Sequence, residues 1–297
     1  MSARPRLFLV DGSSYVFRAF HALPPLTSPG GRPTNATYGF TGMLLKLLRE
    51  QAPESAGVVF DTEGPTERHL AFEAYKAQRP PMPEALAAQL PDILEVVRGL
   101  RLPLVAEPGQ EADDLLGSLA VQAERAGFDV VLVTADKDMC QVVGPHIRLY
   151  DSMRERWTGE AEVRERFGVP PAAVPEVLGL MGDSVDNIPG VPGVGEKTAK
   201  MLLAEFGSIE NLLARLPEVT RPRLREALAA HAEQARHSRT LATIRTDLPI
   251  AFEPETFRRL PPDLAALATL FRGLGFSRLL EATAQGELPG LPAGRAS

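Results

Sequence analysis

Short apolar runs alternate with stretches of helical periodicity in the first half of the chain. The runs LFLVD, GVVFD and VVLVTAD occupy residues 7–11, 57–61 and 130–136, and each ends in an aspartate. Continuous apolar runs of this kind are typical of strands buried on both faces of a parallel sheet. Helical patterns lie between and after them, at residues 36–51, 84–100 and 112–126. The alternation predicts an α/β fold with a mostly parallel central sheet flanked by helices.

The aspartates that end the three runs would share one edge of such a sheet. In doubly wound sheets, ligands bind outside the carboxyl ends of the strands. A single terminal aspartate is often only a turn former. Asp11, Asp61 and Asp136 end three core strands, however, and parallel strands bring their ends together. We therefore expect these three carboxylates to form part of a site.

A second group of acids opens the helical pattern at residues 112–126. Glu111, Asp113 and Asp114 are three acids within four residues. Acids in the first turn of a helix often serve only the helix dipole. Three of them exceed what capping needs, and Glu111 and Asp114 would share a helix face. We interpret all three as candidate ligands.

Two further acid pairs complete the set. Asp136 and Asp138 flank Lys137, a pattern that is also typical of a polar turn with a local ion pair. Asp183 and Asp186 are three residues apart, and one helical turn would aim both carboxylates at one point. Like charges placed so close together repel each other and favour a bound cation.

Nine carboxylates therefore need counter-ions, and two or more divalent metals would supply them. The five histidines show no ligand spacing. The single cysteine excludes an internal disulfide and any multi-cysteine zinc site. Any metal would thus be held by oxygen, which favours Mg²⁺ or Mn²⁺.

The segment GVPGVGEKTAK, residues 190–200, predicts a tight hairpin followed by a helix. Its glycines and prolines exclude a continuous helix, and Glu196 begins a new one. Backbone amides at a helix N-terminus, flanked by lysines, form a phosphate cradle. A nucleotide P-loop is disfavoured, because Glu196 separates Gly195 from Lys197 and no strand enters the loop. An ordinary loop before a surface helix is the remaining alternative.

Composition is that of a globular chain: 297 residues, 44% hydrophobic and 24% charged. No apolar run is long enough for a membrane span, and the apolar start is too short for a signal peptide. A reducing cytoplasm is the expected compartment. The net charge of −6 argues against a nucleic-acid partner. That objection weakens if the acids gather around metal ions, which reverse the local charge.

Taken together, these motifs resemble the 5′ nuclease, or flap endonuclease-like, family over about residues 6–285. Within it they are most similar to the 5′–3′ exonuclease domains found at the N-terminus of bacterial DNA polymerase I. The resemblance implies a tighter metal site and a second one, with Asp114 in a supporting role. The tighter site would comprise Asp11, Asp61, Glu111, Asp113 and Asp136. The second would comprise Asp138, Asp183 and Asp186.

The same resemblance implies roles for cations outside the acid clusters. The segment YKAQRPPMP is similar to the family's arch, at about residues 65–95, in which a lysine and an arginine reach the substrate phosphate. Here these would be Lys76 and Arg79 on a presumed helix, with Lys137 and Arg18 as further catalytic cations. A solvated helix face is the alternative for the Lys76 and Arg79 pair.

DNA contacts are also implied by the resemblance. Phe17 would stack on a base near the cut, although a core position is equally compatible with the sequence. The remaining expected DNA-binding residues are Thr34, Asn35, Tyr75, Gly190, Gly193, Gly195, Lys197, Thr198 and Lys200. Hairpin carbonyls would additionally hold a potassium ion.

The predicted organisation has three parts: an α/β metal-binding core at 1–180, a helical helix-hairpin-helix region at 181–285, and a flexible tail at 286–297. The predicted function is a structure-selective 5′–3′ exonuclease and flap endonuclease that cleaves DNA by two-metal catalysis in replication and repair. Its substrates would be 5′ ends, flaps or nicks. It would act as a monomer, with a DNA polymerase on the same or another chain.

Two other classes stay open at this point. One is an inactive DNA-junction binder, which the complete set of carboxylates disfavours. The other is a metal ribonuclease of the related PIN type. Those proteins are usually shorter and lack the acids at Asp183 and Asp186 and the hairpin.

Overall fold

A computed structural model describes residues 4–286 and 288 of the chain. The sheet within them has six strands: β1 (Arg6–Asp11), β2 (Ser55–Val59), β3 (Leu104–Val105), β4 (Asp129–Val133), β5 (Ile147–Asp151) and β6 (Arg156–Thr158). Their order is β3-β2-β1-β4-β5-β6. All neighbours are parallel except β5 and β6, which form an antiparallel hairpin. The predicted mostly parallel sheet is confirmed.

Helices cover both faces of the sheet and form the C-terminal region. Those of the first half are α1 (Gly12–Ala22), α2 (Asn35–Gln51), α3 (Glu67–Ala71), α4 (Glu84–Ala87), α5 (Leu90–Gly99) and α6 (Ala112–Arg125). Those of the second half are α7 (Glu160–Phe167), α8 (Val174–Met181), α9 (Glu196–Phe206), α10 (Ile209–Ala214), α11 (Pro222–Ala230), α12 (Ala232–Ala242), α13 (Pro254–Phe257), α14 (Leu264–Leu274) and α15 (Ser277–Ala284).

The strand order reverses between β1 and β4, and this position determines where the site lies. From β1 the chain continues outward through β2 and β3, then returns to place β4 on the other side of β1. The crevice beyond the carboxyl ends of β1 and β4 is thus a topological switch point, where α/β sheets bind ligands. Asp11 ends β1, and Asp136 follows β4 by three residues.

Two hydrophobic layers hold the sheet between its helices. Leu7 and Leu9 of β1 face one layer, and Phe8 and Val10 face the other; all four side chains are fully buried or nearly so. Both faces of β1 are therefore covered, as the continuous apolar run predicts.

The predicted helix at 84–100 is divided in the structure. Helix α4 ends at Ala87, and α5 begins at Leu90 with Pro91 in its first turn. Proline has no backbone N–H, so it is tolerated at the start of a helix and not in the interior. The strands β3, β5 and β6 were not predicted, since each is short or partly polar.

The spacing of Lys76 and Arg79, and that of Asp183 and Asp186, each predicted a helical turn, and both predictions are wrong. Helix α3 ends at Ala71, and Lys76 has a left-handed backbone with φ of 54°, so Lys76 and Arg79 lie on consecutive turns. Helix α8 ends at Met181, and Asp183 and Asp186 lie in a turn closed by backbone bonds between Asp183 and Ile188. The turn, and not helical spacing, brings these acids to the site.

The C-terminal end carries two further observations. The predicted flexible tail, residues 286–297, lies outside the described residues except for Gly286 and Leu288, and Leu288 is buried. No helix of the described chain is both long enough and apolar enough to cross a membrane.

Candidate active site

The floor of the site is formed by aspartates whose carboxylates also fix local structure. Asp11 caps α1 by accepting a hydrogen bond from the Ser14 amide at 2.9 Å, and its other oxygen accepts from the Thr134 hydroxyl at 2.8 Å. Asp61 accepts from the Ala112 amide at 2.9 Å, at the start of α6. Asp61 thus positions the helix that carries the second group of acids.

These carboxylates lie close enough to repel one another. Burial raises the pKa of Asp11 to about 6, with further contributions from the charges of Asp61 and Asp136. Burial likewise raises the pKa of Asp113 well above its ordinary value, and Asp136 and Asp11 raise it further. The aspartates of the three predicted strands and Asp113 therefore converge, as the sequence indicates.

A second group of acids adjoins the first through Asp136. The Asp138 amide donates to Asp136 at 2.8 Å. Burial raises the pKa of Asp138 to about 8, with the charges of Asp136 and Asp183 adding to it. Asp183 is buried and forms an ion pair with Lys137, whose Nζ lies 2.5 Å from its Oδ2. Asp186 completes this group.

The base of the predicted arch contacts both groups of acids. Lys76 Nζ lies 2.9 Å from Glu111 Oε2 and 3.9 Å from Asp186 Oδ2. An Arg79 nitrogen lies 2.5 Å from Asp186 Oδ1. The Tyr75 hydroxyl bonds Glu111 at 3.0 Å and Asp186 at 3.2 Å. Lys76 and Tyr75 thus link the acid at the start of α6 to Asp186 of the 183–188 turn, and Arg79 contacts Asp186 alone.

Neighbouring positive charges determine the pKa of Glu111. Burial alone raises the pKa of its carboxyl group, but the charges of Lys76 and Arg68 outweigh it and hold the pKa below the ordinary value. The Lys76 pKa is itself raised: burial lowers it, and Glu111 and Asp186 more than compensate. Both groups are therefore ionised at neutral pH.

The 183–188 turn is fastened to the arch by backbone bonds. The Lys76 amide donates to the Asp186 carbonyl at 2.9 Å, and the Asn187 side chain donates to the Ala74 carbonyl at 2.7 Å. Asn187 adopts φ of 55°, a left-handed conformation that asparagine tolerates better than most residues. The arch base and the second acid pair therefore form one unit.

Comparisons with known proteins agree with this geometry. A family model described as "5'-3' exonuclease, N-terminal resolvase-like domain" matches residues 6–168, and "5'-3' exonuclease, C-terminal SAM fold" matches residues 169–265. The chain belongs to the 5′–3′ exonuclease family. The predicted membership of the 5′–3′ exonuclease family is confirmed.

Curated relatives of this 5′–3′ exonuclease include both long and short proteins. A DNA polymerase I of Pseudomonas aeruginosa is 47% identical over 289 residues, covering 95% of this chain and 31% of the relative. A 5′–3′ exonuclease of Aquifex aeolicus is 38% identical over 275 residues, covering 93% of this chain and 94% of the relative. The chain thus spans about a third of the length of the polymerase relatives that it matches.

Solved structures share the fold at low identity. A bacteriophage T5 protein co-crystallised with metal ions has a TM-score of 0.71 and 18% identity, covering 94% of this chain and 98% of that one. A bacteriophage T5 flap endonuclease in a pseudo-enzyme–product complex with DNA and metal ions has a TM-score of 0.68 and 20% identity, covering 94% and 99%. The 5′ nuclease fold is thereby confirmed.

Divalent metal ions fit the donor set of this 5′–3′ exonuclease. The ligands on offer are carboxylate oxygens, which Mg²⁺ and Mn²⁺ prefer. Among the described residues, Asp138 Oδ1 is buried and accepts no hydrogen bond. Within residues 4–286 and 288, no three acidic, histidine or cysteine side chains are arranged so that they could hold a metal ion without rearrangement. Lys76, Arg79 and Lys137 instead pair with the acids.

The structure corrects the interpretation of Asp114 as a direct ligand. Its two oxygens accept from the Arg68 guanidinium at 2.5 and 2.8 Å, and one also accepts from the Arg245 amide at 2.8 Å. Arg68 further donates to the carbonyls of Leu241 and Thr243 at 2.9 and 2.7 Å. The pair therefore ties α3 and α6 to the end of α12 and the segment that follows it, in keeping with the supporting role that the resemblance implies for Asp114. No sequence signal marked Arg68.

Three of the predicted DNA contacts are also corrected. Thr34 and Asn35 are only 1% and 5% exposed, and Asn35 bonds the Phe20 carbonyl and Gln89, so they hold α1, α2 and α5 together. Tyr75 is 2% exposed and serves the acids described above. The polar groups of Asn35 and Tyr75 are bonded inside the protein, and all three side chains are buried.

Arg18 and Phe17 of α1 lie outside the acid cluster. Arg18 pairs with Asp151 at 3.0 Å, next to the carboxyl end of β5. Phe17 is 40% exposed, which is compatible with stacking and excludes a core position. Arg18 is thus held beside the site and does not contact the nine acids.

The hairpin at 190–195 forms as predicted and leads into α9. A Cβ at Gly190 would lie 2.3 Å from the Met181 carbonyl, so Gly190 is required for close backbone packing. Gly193 has φ of 79° and open space around it. Lys197 is exposed with Thr198 partly so, whereas Lys200 bonds Glu196 and the Arg166 carbonyl. Gly193, Gly195 and Lys197 form the accessible part of this motif.

Proposed function

We propose that this 5′–3′ exonuclease hydrolyses DNA phosphodiester bonds near single-strand/duplex junctions with two or more Mg²⁺ or Mn²⁺ ions. The observation that carries the proposal is the convergence of two acid groups that meet at Asp136 and are linked by Lys76. In this proposal residues 1–180 form the metal-binding core, and residues 181–285 form the DNA-binding helical region.

In this proposal the acids divide between two metal positions as the family resemblance implies. Asp11, Asp61, Glu111, Asp113 and Asp136 would hold the tighter one, and Asp138, Asp183 and Asp186 the second. When bound, the metals supply an activated hydroxide and stabilise charge on the leaving oxygen. The bond from the Ala112 amide to Asp61 fixes the start of the helix that carries Asp113. The backbone bonds of the 183–188 turn fix Asp183 and Asp186.

Lys76 and Arg79 would bind the scissile phosphate at the edge of the cluster. Both are fixed by carboxylates, and Tyr75 orients the same acids. Cations that are positioned before the reaction stabilise developing charge without reorganisation. Lys137, paired with Asp183, would act alongside them. Arg18 would have to leave Asp151 before it could bind a phosphate, so we propose the smallest catalytic contribution for Arg18.

The hairpin would bind duplex phosphates away from the cut. Its accessible groups are backbone amides and Lys197, and such contacts position a duplex without reading its sequence. Specificity is thus for structure, with 5′ ends, flaps and nicks as substrates. The expected potassium ion would have to use carbonyls other than that of Gly190, which accepts from Gln234 at 2.6 Å.

The biological setting that we propose is DNA replication and repair in the cytoplasm. Polymerase I relatives support an association with a DNA polymerase, on the same chain or a separate one. We propose that the enzyme acts as a monomer.

A 5′-labelled DNA flap tests the proposal. Wild type and Asp136→Ala would be assayed with Mg²⁺ and with EDTA, and a matched RNA flap would be included. We expect cleavage at the junction that needs Mg²⁺ and is abolished in the variant. Tight junction binding without cleavage in Mg²⁺ or Mn²⁺, or cleavage of RNA alone, would overturn it.

A further inference from the structure

A cleft of about 650 Å³ shares Asp136 with the acid cluster, and its other lining residues have no assigned role in catalysis. Its floor is the chain that follows β4, residues 134–136, and its walls are the β5–β6 hairpin and α7. The cleft therefore begins at the junction of the two acid groups and extends away from the sheet.

Two arginines give the cleft its available positive charge. Arg156 of β6 and Arg166 of α7 line it, are exposed, and form no ion pair with any residue of the described chain. A third, Arg154, lies 3.5 Å from Asp151 and shares that acid with Arg18. Arg156 and Arg166 are thus the cations that remain for a ligand.

The acids of the lining are largely engaged. Asp151 is paired as described, and Glu162 accepts from the Gly159 amide at 2.7 Å. Asp136 accepts from the Asp138 amide. Glu165 is the remaining acid in the wall. An anion entering the cleft would therefore meet two arginines that pair with no acid of the described chain, of which Arg166 lies over the Phe167 ring at 5.2 Å.

An aromatic platform stands next to these arginines. Trp157 is 38% exposed and lies against Tyr150, with ring centroids 4.6 Å apart and planes tilted by 32°. A partly exposed indole supported from behind is suited to stack on a nucleobase. The lining also includes Cys140, but burial raises the pKa of that thiol to about 11, which disfavours thiolate chemistry.

The wall of the cleft that α7 forms is tied to the helix after the hairpin. Lys200 of α9 donates to the carbonyl of Arg166, which fixes the end of α7 against the helix that follows the hairpin. A strand that leaves the cut at Asp136 could thus pass along Arg156 and Arg166 before it reaches α9.

We propose that this cleft binds a nucleotide of single-stranded DNA, with its phosphate at Arg156 and Arg166 and its base on Trp157. The proposal rests on the proposed DNA substrate, but not on cleavage. The same chemistry suits a nucleotide within a strand and a free deoxymononucleotide, and the experiment separates these two sources.

Trp157 is the only tryptophan of the chain, so its fluorescence reports on this cleft directly. The full chain in EDTA, where cleavage is prevented, would be titrated with 5′-phosphorylated pentathymidylate and, separately, with dTMP. We expect a saturable fluorescence change with the oligonucleotide. Arg156→Ala and Arg166→Ala should each raise its Kd about tenfold, as loss of a charged hydrogen bond does.

The matched control is Arg164→Ala, an exposed arginine on α7 that does not line the cleft. Its Kd should stay within twofold of wild type. Equal saturation by dTMP would identify a mononucleotide site, and a response to the oligonucleotide alone would identify a strand site. No fluorescence change, or unchanged affinity in both cleft variants, would overturn the proposal. Flap cleavage by the same preparations reports separately on the proposed nuclease function.

Discussion

In the acid cluster, charged side chains are buried and each cation contacts an acid, whereas the hairpin presents backbone groups and one exposed lysine. Lys76 and Glu111 lie 2.9 Å apart within a largely buried environment. Gly193 has a left-handed backbone and no side chain nearby. The cluster therefore depends on the identity of side chains, and the hairpin depends on backbone conformation. Substitutions in the two regions should fail in different ways.

The largest effect is expected at Lys76. Lys76→Ala should slow single-turnover cleavage of a flap by roughly 100- to 1,000-fold, because a preorganised cation is lost from the reacting phosphate. Binding of the same flap should persist. Arg98→Ala, an exposed arginine paired with Glu95 on α5, is the control and should behave as wild type. An unchanged rate in Lys76→Ala would remove the arch from the mechanism.

The Arg68–Asp114 pair should influence catalysis through position. Arg68→Ala and Asp114→Ala should each lower the free energy of unfolding by about 3 kcal/mol, because each leaves a buried charge without its partner. Each should also raise the Mg²⁺ concentration needed for half-maximal cleavage, since Arg68 lies 3.4 Å from Glu111. The double variant should be little worse than either single one.

A matched ion pair separates position from stability. Arg239→Ala breaks the contact with Glu176 that joins α12 to α8. It should lower stability without moving the Mg²⁺ requirement. The same shift in Mg²⁺ requirement in this variant would show that Arg68 acts only through general stability.

The hairpin should respond to strain. Gly193→Val places a β-branched residue at φ of 79°, which costs about 1–2 kcal/mol or distorts the loop. We expect roughly tenfold weaker duplex binding with little change in the cleavage rate of bound DNA. Gly127→Val imposes similar strain at φ of 94° in the turn before β4. Equal loss of duplex affinity in both variants would contradict a specific role for the hairpin.

The smallest expected effect concerns pH in the metal-depleted protein. Folding raises the pKa of Asp138 from 3.8 to about 8, so the folded state holds more protons than the unfolded state between these values. The stability that this group contributes is full below pH 3.8 and is lost as pH rises through about 8. In EDTA, Tm should fall by a few degrees between pH 5.5 and 8.5. Asp138→Asn should make Tm depend less on pH. The same change of Tm with pH in this variant and in wild type would show that Asp138 does not cause the dependence.

The sequence predicted which acids lie near one another better than it predicted the local structure around them. Apolar runs ending in aspartate were sufficient to locate Asp11, Asp61 and Asp136, because parallel strands impose a shared edge. Helical spacing at Asp183 and Asp186 gave a correct grouping for a wrong reason, since a turn closed by Ile188 brings them together. Residue spacing carries no information about such turns.

Contacts between residues far apart in the chain could not be predicted from the sequence, for a different reason. Arg68 binds Asp114 and two carbonyls about 175 residues away in the chain, and no local pattern marks that contact. Thr34 and Asn35 were expected to contact DNA from the family resemblance, yet both are buried, and the burial of Asn35 is compensated by tertiary hydrogen bonds. The family resemblance indicated which residues lie near the DNA, and only the fold showed whether their side chains face the solvent or the interior.

The most direct test of the account is calorimetric titration of the metal-depleted chain with Mn²⁺. Wild type should bind at least two ions saturably, and Asp136→Ala should lose that binding in large part. Asp129→Ala, an acid at the opposite end of β4 that pairs with His146, is the matched control and should bind as wild type. Absence of saturable binding in wild type, or the same isotherm for all three proteins, would contradict the assignment of the acid cluster as a metal centre.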